Sequence, residues 1–112
     1  MKKIEAIVRP EKLDEVLKAL DNVGYSGVMI TEIQGHGKQK GITQMWRGER
    51  YRVEFLPKVK IEIVTTDAAA PNIAKAIAAA GKTGEIGDGK IFMYDVDYCQ
   101  RIRTGETGEG AL

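Results

Sequence analysis

The chain has 112 residues and a mass of 12.3 kDa, enough for one domain with a core, yet small enough that oligomerisation would add to its stability. Its 17 basic and 16 acidic side chains nearly cancel, leaving a formal net charge of +1 that gives no general field for nucleic acid or an anionic membrane. Cys99 is the single cysteine, which excludes an internal disulfide and fits a reducing cytoplasm; a small, semi-buried, unreactive side chain is the favoured reading. Residues 1–6 carry charge inside their first apolar run, unlike a signal peptide, and no apolar stretch approaches membrane-spanning length.

In chain order, residues 3–8 alternate Ile4, Ala6 and Val8 against Lys3, Glu5 and Ile7, which predicts a strand. Pro10 opens a segment in which Leu13, Val16, Leu17, Leu20 and Val23 recur at helical spacing, with Gly24 placed to end it. Residues 28–35 return as a second strand. From 37 to 57 there is no helical stripe and only weak strand character, and a loop of that length between two strands is usually functional or disordered. Its Trp46, Arg47, Arg50 and Tyr51 are the residue mix enriched at protein contacts; a solvated hairpin extension is the competing reading. Residues 58–66 alternate Val59, Ile61 and Ile63 against Lys60, Glu62 and Val64, a third strand. Asp67 and Pro71 lead into a helix with Ile73, Ile77 and several alanines, with Gly81 as its stop, and residues 90–99 form the last strand.

The result is β-α-β twice, an α+β ferredoxin-like double βαβ fold with both helices on one face of an antiparallel sheet. The other face has apolar positions such as Ile7, Val64, Phe92 and Val96, opposite Ile91 and Met93, so a homo-oligomer is expected to cover it.

Thr83-Gly84-Glu85-Ile86-Gly87-Asp88-Gly89-Lys90 is the segment richest in chemical meaning. Its three glycines allow close approach of backbone to a ligand, and their N–H groups with the Lys90 ammonium suit a polyphosphate. A strand follows where a Walker A loop needs a helix, so this is not that motif, and a glycine-rich connection with a solvated lysine competes with the functional reading. His36 has no partner at metal-ligand spacing, and one histidine with one cysteine cannot build a nucleophilic triad, so an ordinary enzyme is not expected.

Over essentially the whole chain the sequence resembles the PII family of nitrogen-regulatory signal proteins. The resemblance is carried by Thr83, Gly87-Asp88-Gly89-Lys90-Ile91-Phe92-Met93, Arg101-Ile102-Arg103-Thr104-Gly105-Glu106, the opening residues 1–7, and residues 35–41 and 55–62. It implies one PII-like domain over 1–112, a long T-loop at about 37–57 between the second and third strands, a nucleotide loop at about 82–90, a C-terminal segment at about 101–112, and a compact homotrimer with nucleotide sites at its subunit clefts.

It also implies residue roles. ATP or ADP phosphates lie against Gly87, Asp88 and Gly89, with Lys90, Arg101 and Arg103 supplying charge and Lys38 helping. Arg101 and Arg103 would point the same way in a strand. Ile7, Gly35, Gly37 and Val64 pack the base and ribose, and Glu62 contacts adenine from the adjoining subunit. Gln39 offers an oxygen to Mg²⁺, and Lys58 pairs with a carboxylate of 2-oxoglutarate near Gly87, a strand-edge lysine being its competing reading. At the T-loop tip the family pattern of Tyr, Lys or Arg, Gly, a small residue, Glu or Ala, and Tyr becomes Trp46-Arg47-Gly48-Glu49-Arg50-Tyr51. Trp46 and Arg47 are the expected target contacts, and Tyr51 keeps the acceptor hydroxyl for a nucleotidylyl-transferase in an altered charge setting. The implied function is a cytoplasmic sensor of ATP, ADP and 2-oxoglutarate that controls an ammonium channel through the T-loop. The alternatives are a regulator of a soluble nitrogen-assimilation or nitrogen-fixation enzyme and, from another class, a slow ATP phosphohydrolase.

Overall fold

The computed structural model describes residues 1–25, 27–35, 42–46, 49–53 and 56–112. In β1 (Lys2–Val8) the residues Ile4, Ala6 and Val8 are buried and their neighbours partly exposed, the period of two that a sheet with one covered face imposes. Pro10–Lys12 forms a 3₁₀ turn, and α1 (Leu13–Val23) starts after it. Val16 and Leu20, one helical turn apart, are wholly buried, Leu13 and Leu17 pack beside them, and Gly24 ends the helix at φ +66°.

β2 (Met29–Gly35) precedes an antiparallel pair, β3 (Ile42–Trp46) and β4 (Glu49–Val53), in which Ile42 faces Val53 and Trp46 faces Glu49. The segment of weak strand character expected between 37 and 57 thus contains a paired antiparallel ladder, of the kind the competing hairpin reading called for. Ile42, Thr43, Trp46, Tyr51 and Val53 favour the extended backbone, a preference the interspersed charges mask in the sequence.

β5 (Leu56–Thr65) leads to α2 (Ala70–Gly81), whose buried face is Ala70, Ile73, Ile77 and Gly81. Thr66, rather than Asp67, sets the helix entry: Thr66 Oγ1 accepts the Ala69 N–H at 3.2 Å, while Asp67 pairs with the N-terminal amine at 2.9 Å. β6 (Lys90–Asp95) closes a four-stranded sheet ordered β2-β5-β1-β6 and antiparallel at each pairing. Both helices lie on one face of it, packed on each other, and the core runs between Ile4, Ala6, Val59, Ile61 and Ile63 below and Val16, Leu20, Ile73 and Ile77 above. This is the ferredoxin-like arrangement that the doubled β-α-β pattern predicts.

Two expectations are corrected. The last strand stops at Asp95, not Cys99. The chain then folds back through a Gln100–Thr107 bridge, with the Arg101 carbonyl accepting from Gly105 at 2.8 Å and the Arg101 N–H donating to Glu106 at 2.9 Å. The open sheet face, in turn, is polar at its centre: Lys3 meets Glu62 at 3.2 Å, Lys60 reaches Glu5 and Glu62 at 3.6 Å each, and the Tyr94 hydroxyl donates to Glu5 at 2.9 Å. Apolar surface flanks this lattice at Met29, Phe92 and the Tyr94 ring, and Val96 lies beyond the strand. No helix among the described residues is long and apolar enough to cross a membrane.

Candidate functional site

The connection from α2 to β6 crosses the end of β1, because β6 pairs with β1 from Lys90 opposite Ile7 onward. Gly84, Gly87 and Gly89 all take positive φ, at +91°, +105° and +94°. At Gly89 the need for glycine is steric as well: a Cβ there would stand 1.7 Å from the Ile7 carbonyl oxygen.

Asp88 organises the turn from within. Its carboxylate accepts the N–H groups of Thr83 and Gly84 at 2.9 and 2.8 Å, the Thr83 hydroxyl, and the Arg9 Nε at 3.0 Å. The Thr83 hydroxyl above all, with the other donors, holds the Asp88 carboxyl well below the usual carboxylate range. Two cations tie the turn to the sheet. Arg9, extended at ψ 141° because Pro10 follows it, also donates from Nη2 to the Ile86 carbonyl at 2.9 Å. Lys58 of β5, only 8 % exposed, donates from Nζ to the Gly87 carbonyl. Burial first, and Arg9 nearby second, push the Lys58 ammonium below its ordinary pKa.

A cleft of about 300 Å³ opens beside this turn, between the end of β1 and the C-terminal half of α2. Ile7, Val8 and Ile77 wall it, and Lys82, Asp88 and Lys90 bring charge to it. The positive-φ glycine backbone with Lys90 alongside is a donor set suited to phosphate oxygens.

Of the sequence-derived site residues, the structure brings Ile7, Asp88, Gly89 and Lys90 to this cleft and Lys58 to Gly87. Glu62 and Val64 lie instead on the open sheet face, where Glu62 faces Lys3 and Lys60, and the Lys3 ammonium above all lowers its pKa. Arg101 and Arg103 do not line the cleft. They also do not project together from a strand, since residues 102–104 form a turn: Arg101 reaches Glu106 at 3.2 Å and the Gly110 and Leu112 carbonyls at 3.4 Å, while Arg103 is exposed. Gly35 ends β2 opposite Leu56, Trp46 ends β3, and Tyr51 sits in β4 opposite Gln44. Gly37, Lys38, Gln39 and Arg47, with the Mg²⁺ contact assigned to Gln39, lie outside the described residues. Among the described residues no group of three or more His, Cys, Asp or Glu side chains is arranged to hold a metal ion.

Sequence reasoning missed Arg9 and Lys82. Arg9 had a signal: an aspartate set among the glycines of an anion-suited turn needs a neutralising partner, and period two places residue 9 on the Ile7 face of β1.

Sheet, helix pair and glycine turn together define a ferredoxin-like α+β protein. The family model described as Nitrogen regulatory protein P-II matches residues 1–106. The chain is 55% identical over 112 residues to the Nitrogen regulatory protein P-II of Rhizobium meliloti, and 54% identical over 112 residues to those of Pasteurella multocida and Rhodospirillum rubrum, with 100% of both chains covered each time. The chain belongs to the P-II family of nitrogen regulatory proteins, whose members are signalling regulators rather than enzymes.

Proposed function

We propose that this chain is a cytoplasmic, homotrimeric P-II signal protein that senses ATP, ADP and 2-oxoglutarate and answers through the loop at about 37–57, with an ammonium channel as its target. The observation that carries the reading is the glycine turn: Lys58 and Arg9 grip its carbonyls from the sheet, and Lys90 stands beside it at the cleft. Nucleotide phosphates take the N–H groups around Gly87, Asp88 and Gly89 with the Lys90 charge. Glu62, Val64, Arg101 and Arg103 lie away from the chain's own cleft, so in the trimer reading they arrive from an adjoining subunit. A keto-acid carboxylate pairs with Lys58 beside Gly87, and Mg²⁺ bridges it to the nucleotide with an oxygen from Gln39. Trp46 and Arg47 contact the target, and Tyr51 is the modification site if a nucleotidylyl-transferase acts on the chain.

Calorimetric titration tests the sensing. 2-Oxoglutarate should bind tightly only with ATP and Mg²⁺ together, weakly with ADP, and not after Gln39→Ala; equal binding in EDTA would sink the mechanism. Co-purification with an ammonium transporter under each ligand condition tests the output, and Arg47→Ala should abolish capture while leaving nucleotide affinity intact. Absence of any transporter complex would move the output to a soluble nitrogen-metabolism enzyme. Phosphate release proportional to protein would instead support slow ATP hydrolysis.

A further inference from the structure

Arg9 is 14% exposed at its side chain and belongs to neither the glycine turn nor the cleft wall, yet it makes two directed contacts with the turn. Its Nε meets Asp88 at 3.0 Å and its Nη2 meets the Ile86 carbonyl at 2.9 Å. Among the described residues no peptide bond is cis. In a planar trans peptide the carbonyl of one residue and the N–H of the next point in opposite directions. Holding the Ile86 carbonyl toward Arg9 therefore turns the Gly87 N–H away from it, and holding the Gly87 carbonyl toward Lys58 does the same for the Asp88 N–H. Two successive donors are thus aimed away from the cation pair. The second Arg9 contact adds a charge effect, because a bare Asp88 carboxylate next to those donors would repel an incoming anion.

We propose that Arg9 is a positioning residue for phosphate recognition: through the Ile86 carbonyl it aims the Gly87 N–H, next to the Asp88 N–H that Lys58 aims, and it neutralises the Asp88 carboxylate beside these donors. This rests on the nucleotide reading above and adds a residue to it. The planar guanidinium is what the task requires, since it donates to two acceptors in fixed directions at once. A lysine keeps the charge but is a point donor and cannot hold both.

Arg9→Lys is accordingly the informative variant, examined in the full chain with ATP and with inorganic tripolyphosphate as probes, by calorimetry and by amide NMR. The expected result is an unchanged amide spectrum across the sheet, a loss of at least tenfold in ATP affinity, and loss of the shifts that tripolyphosphate induces at Gly87 and Asp88. Affinity equal to the parent chain overturns the proposal, as it would make Arg9 only a charge. Loss of amide dispersion across the sheet also overturns it, as it would make Arg9 a folding residue. A double-mutant cycle with Asp88→Asn adds a readout that general destabilisation would not move: the two losses should be strongly non-additive. If the parent chain binds neither ATP nor tripolyphosphate, the nucleotide reading itself fails; if it binds both and Arg9→Lys binds as well, only the Arg9 assignment falls.

Discussion

Gly89 rests on the backbone of Ile7 so closely that a Cβ at residue 89 would lie 1.7 Å from the Ile7 oxygen and 2.7 Å from its carbonyl carbon. Since Ile7 pairs with Lys90 across the β1–β6 ladder, neither backbone can retreat without opening that pairing. Gly89→Ala should therefore cost at least about 2 kcal/mol, adding backbone strain to steric displacement. Gly84 also has positive φ, at +91°, but faces open space, so Gly84→Ala should cost only the conformational term of about 1–2 kcal/mol. Gly81 is helical, and a Cβ there would stand 3.5 Å from Val8 Cγ1, an ordinary contact, so Gly81→Ala should lie within about 1 kcal/mol of the parent. Denaturant unfolding of the three variants checks this order.

Leu20 is wholly buried between α1 and the sheet, whereas Val23, one turn further on, is 38% exposed. Leu20→Ala should lose about 2–5 kcal/mol, since transfer and cavity terms add. Val23→Ala should lose less than about 1 kcal/mol. Equal losses in the same unfolding assay would contradict the packing of α1 described above.

The fold was largely legible because its signals are local. Ile4, Ala6 and Val8, and then Val16 and Leu20, carry the strand and helix periods within single segments. The end of β6 was less legible, because apolar residues such as Tyr98 continue past Asp95 while the pairing partner β1 has reached its first residues. The polar centre of the open face was hidden as well: Lys3, Glu5, Lys60 and Glu62 read as solvated charges singly, and only the β1–β5 register sets them against one another. For the same reason the glycine turn was easy to recognise from sequence, while the Arg9 that holds it left only an indirect signal, the need of Asp88 for a cationic partner. Arg9 lies 79 positions away from Asp88 along the chain.

Asp88 predicts a pH dependence. Its folded pKa is depressed, chiefly by the Thr83 hydroxyl, so the folded state releases this proton more readily than the unfolded chain, where aspartate titrates near ~3.9. The stabilising contribution is therefore complete once pH exceeds that unfolded value by about one unit. It declines as pH falls from about 5 and is gone once pH drops below the depressed folded value. Asp88→Asn should lower stability at neutral and alkaline pH, where the carboxylate contributes in full, and converge on the parent at the acid end, so that the acid limb flattens. Unfolding midpoints followed from pH 7 to pH 2 test it, and an unchanged acid limb in the variant would assign the loss to other carboxylates.

Arg101 supplies the last prediction. Its guanidinium holds Glu106 at 3.2 Å and reaches the Gly110 and Leu112 carbonyls at 3.4 Å, which folds the C-terminal segment back on itself. If Arg101 is to meet nucleotide phosphate, as the trimer reading requires, it must leave these partners, and the energy of the Glu106 pair then opposes binding. That pair is exposed, 36% at Arg101 and 52% at Glu106, so it holds about 0.2–1 kcal/mol. Glu106→Gln should therefore tighten ATP binding by up to about fivefold, and salt should shrink the difference, because exposed pairs are screened. In an Arg101→Ala background the same substitution should have no effect, since the competing guanidinium is gone. Calorimetric titration of the four chains at two salt concentrations resolves the matter: an ATP affinity untouched by Glu106→Gln means that Arg101 stays with the C-terminal segment, and the phosphate charge must then come from Lys90 and Arg103.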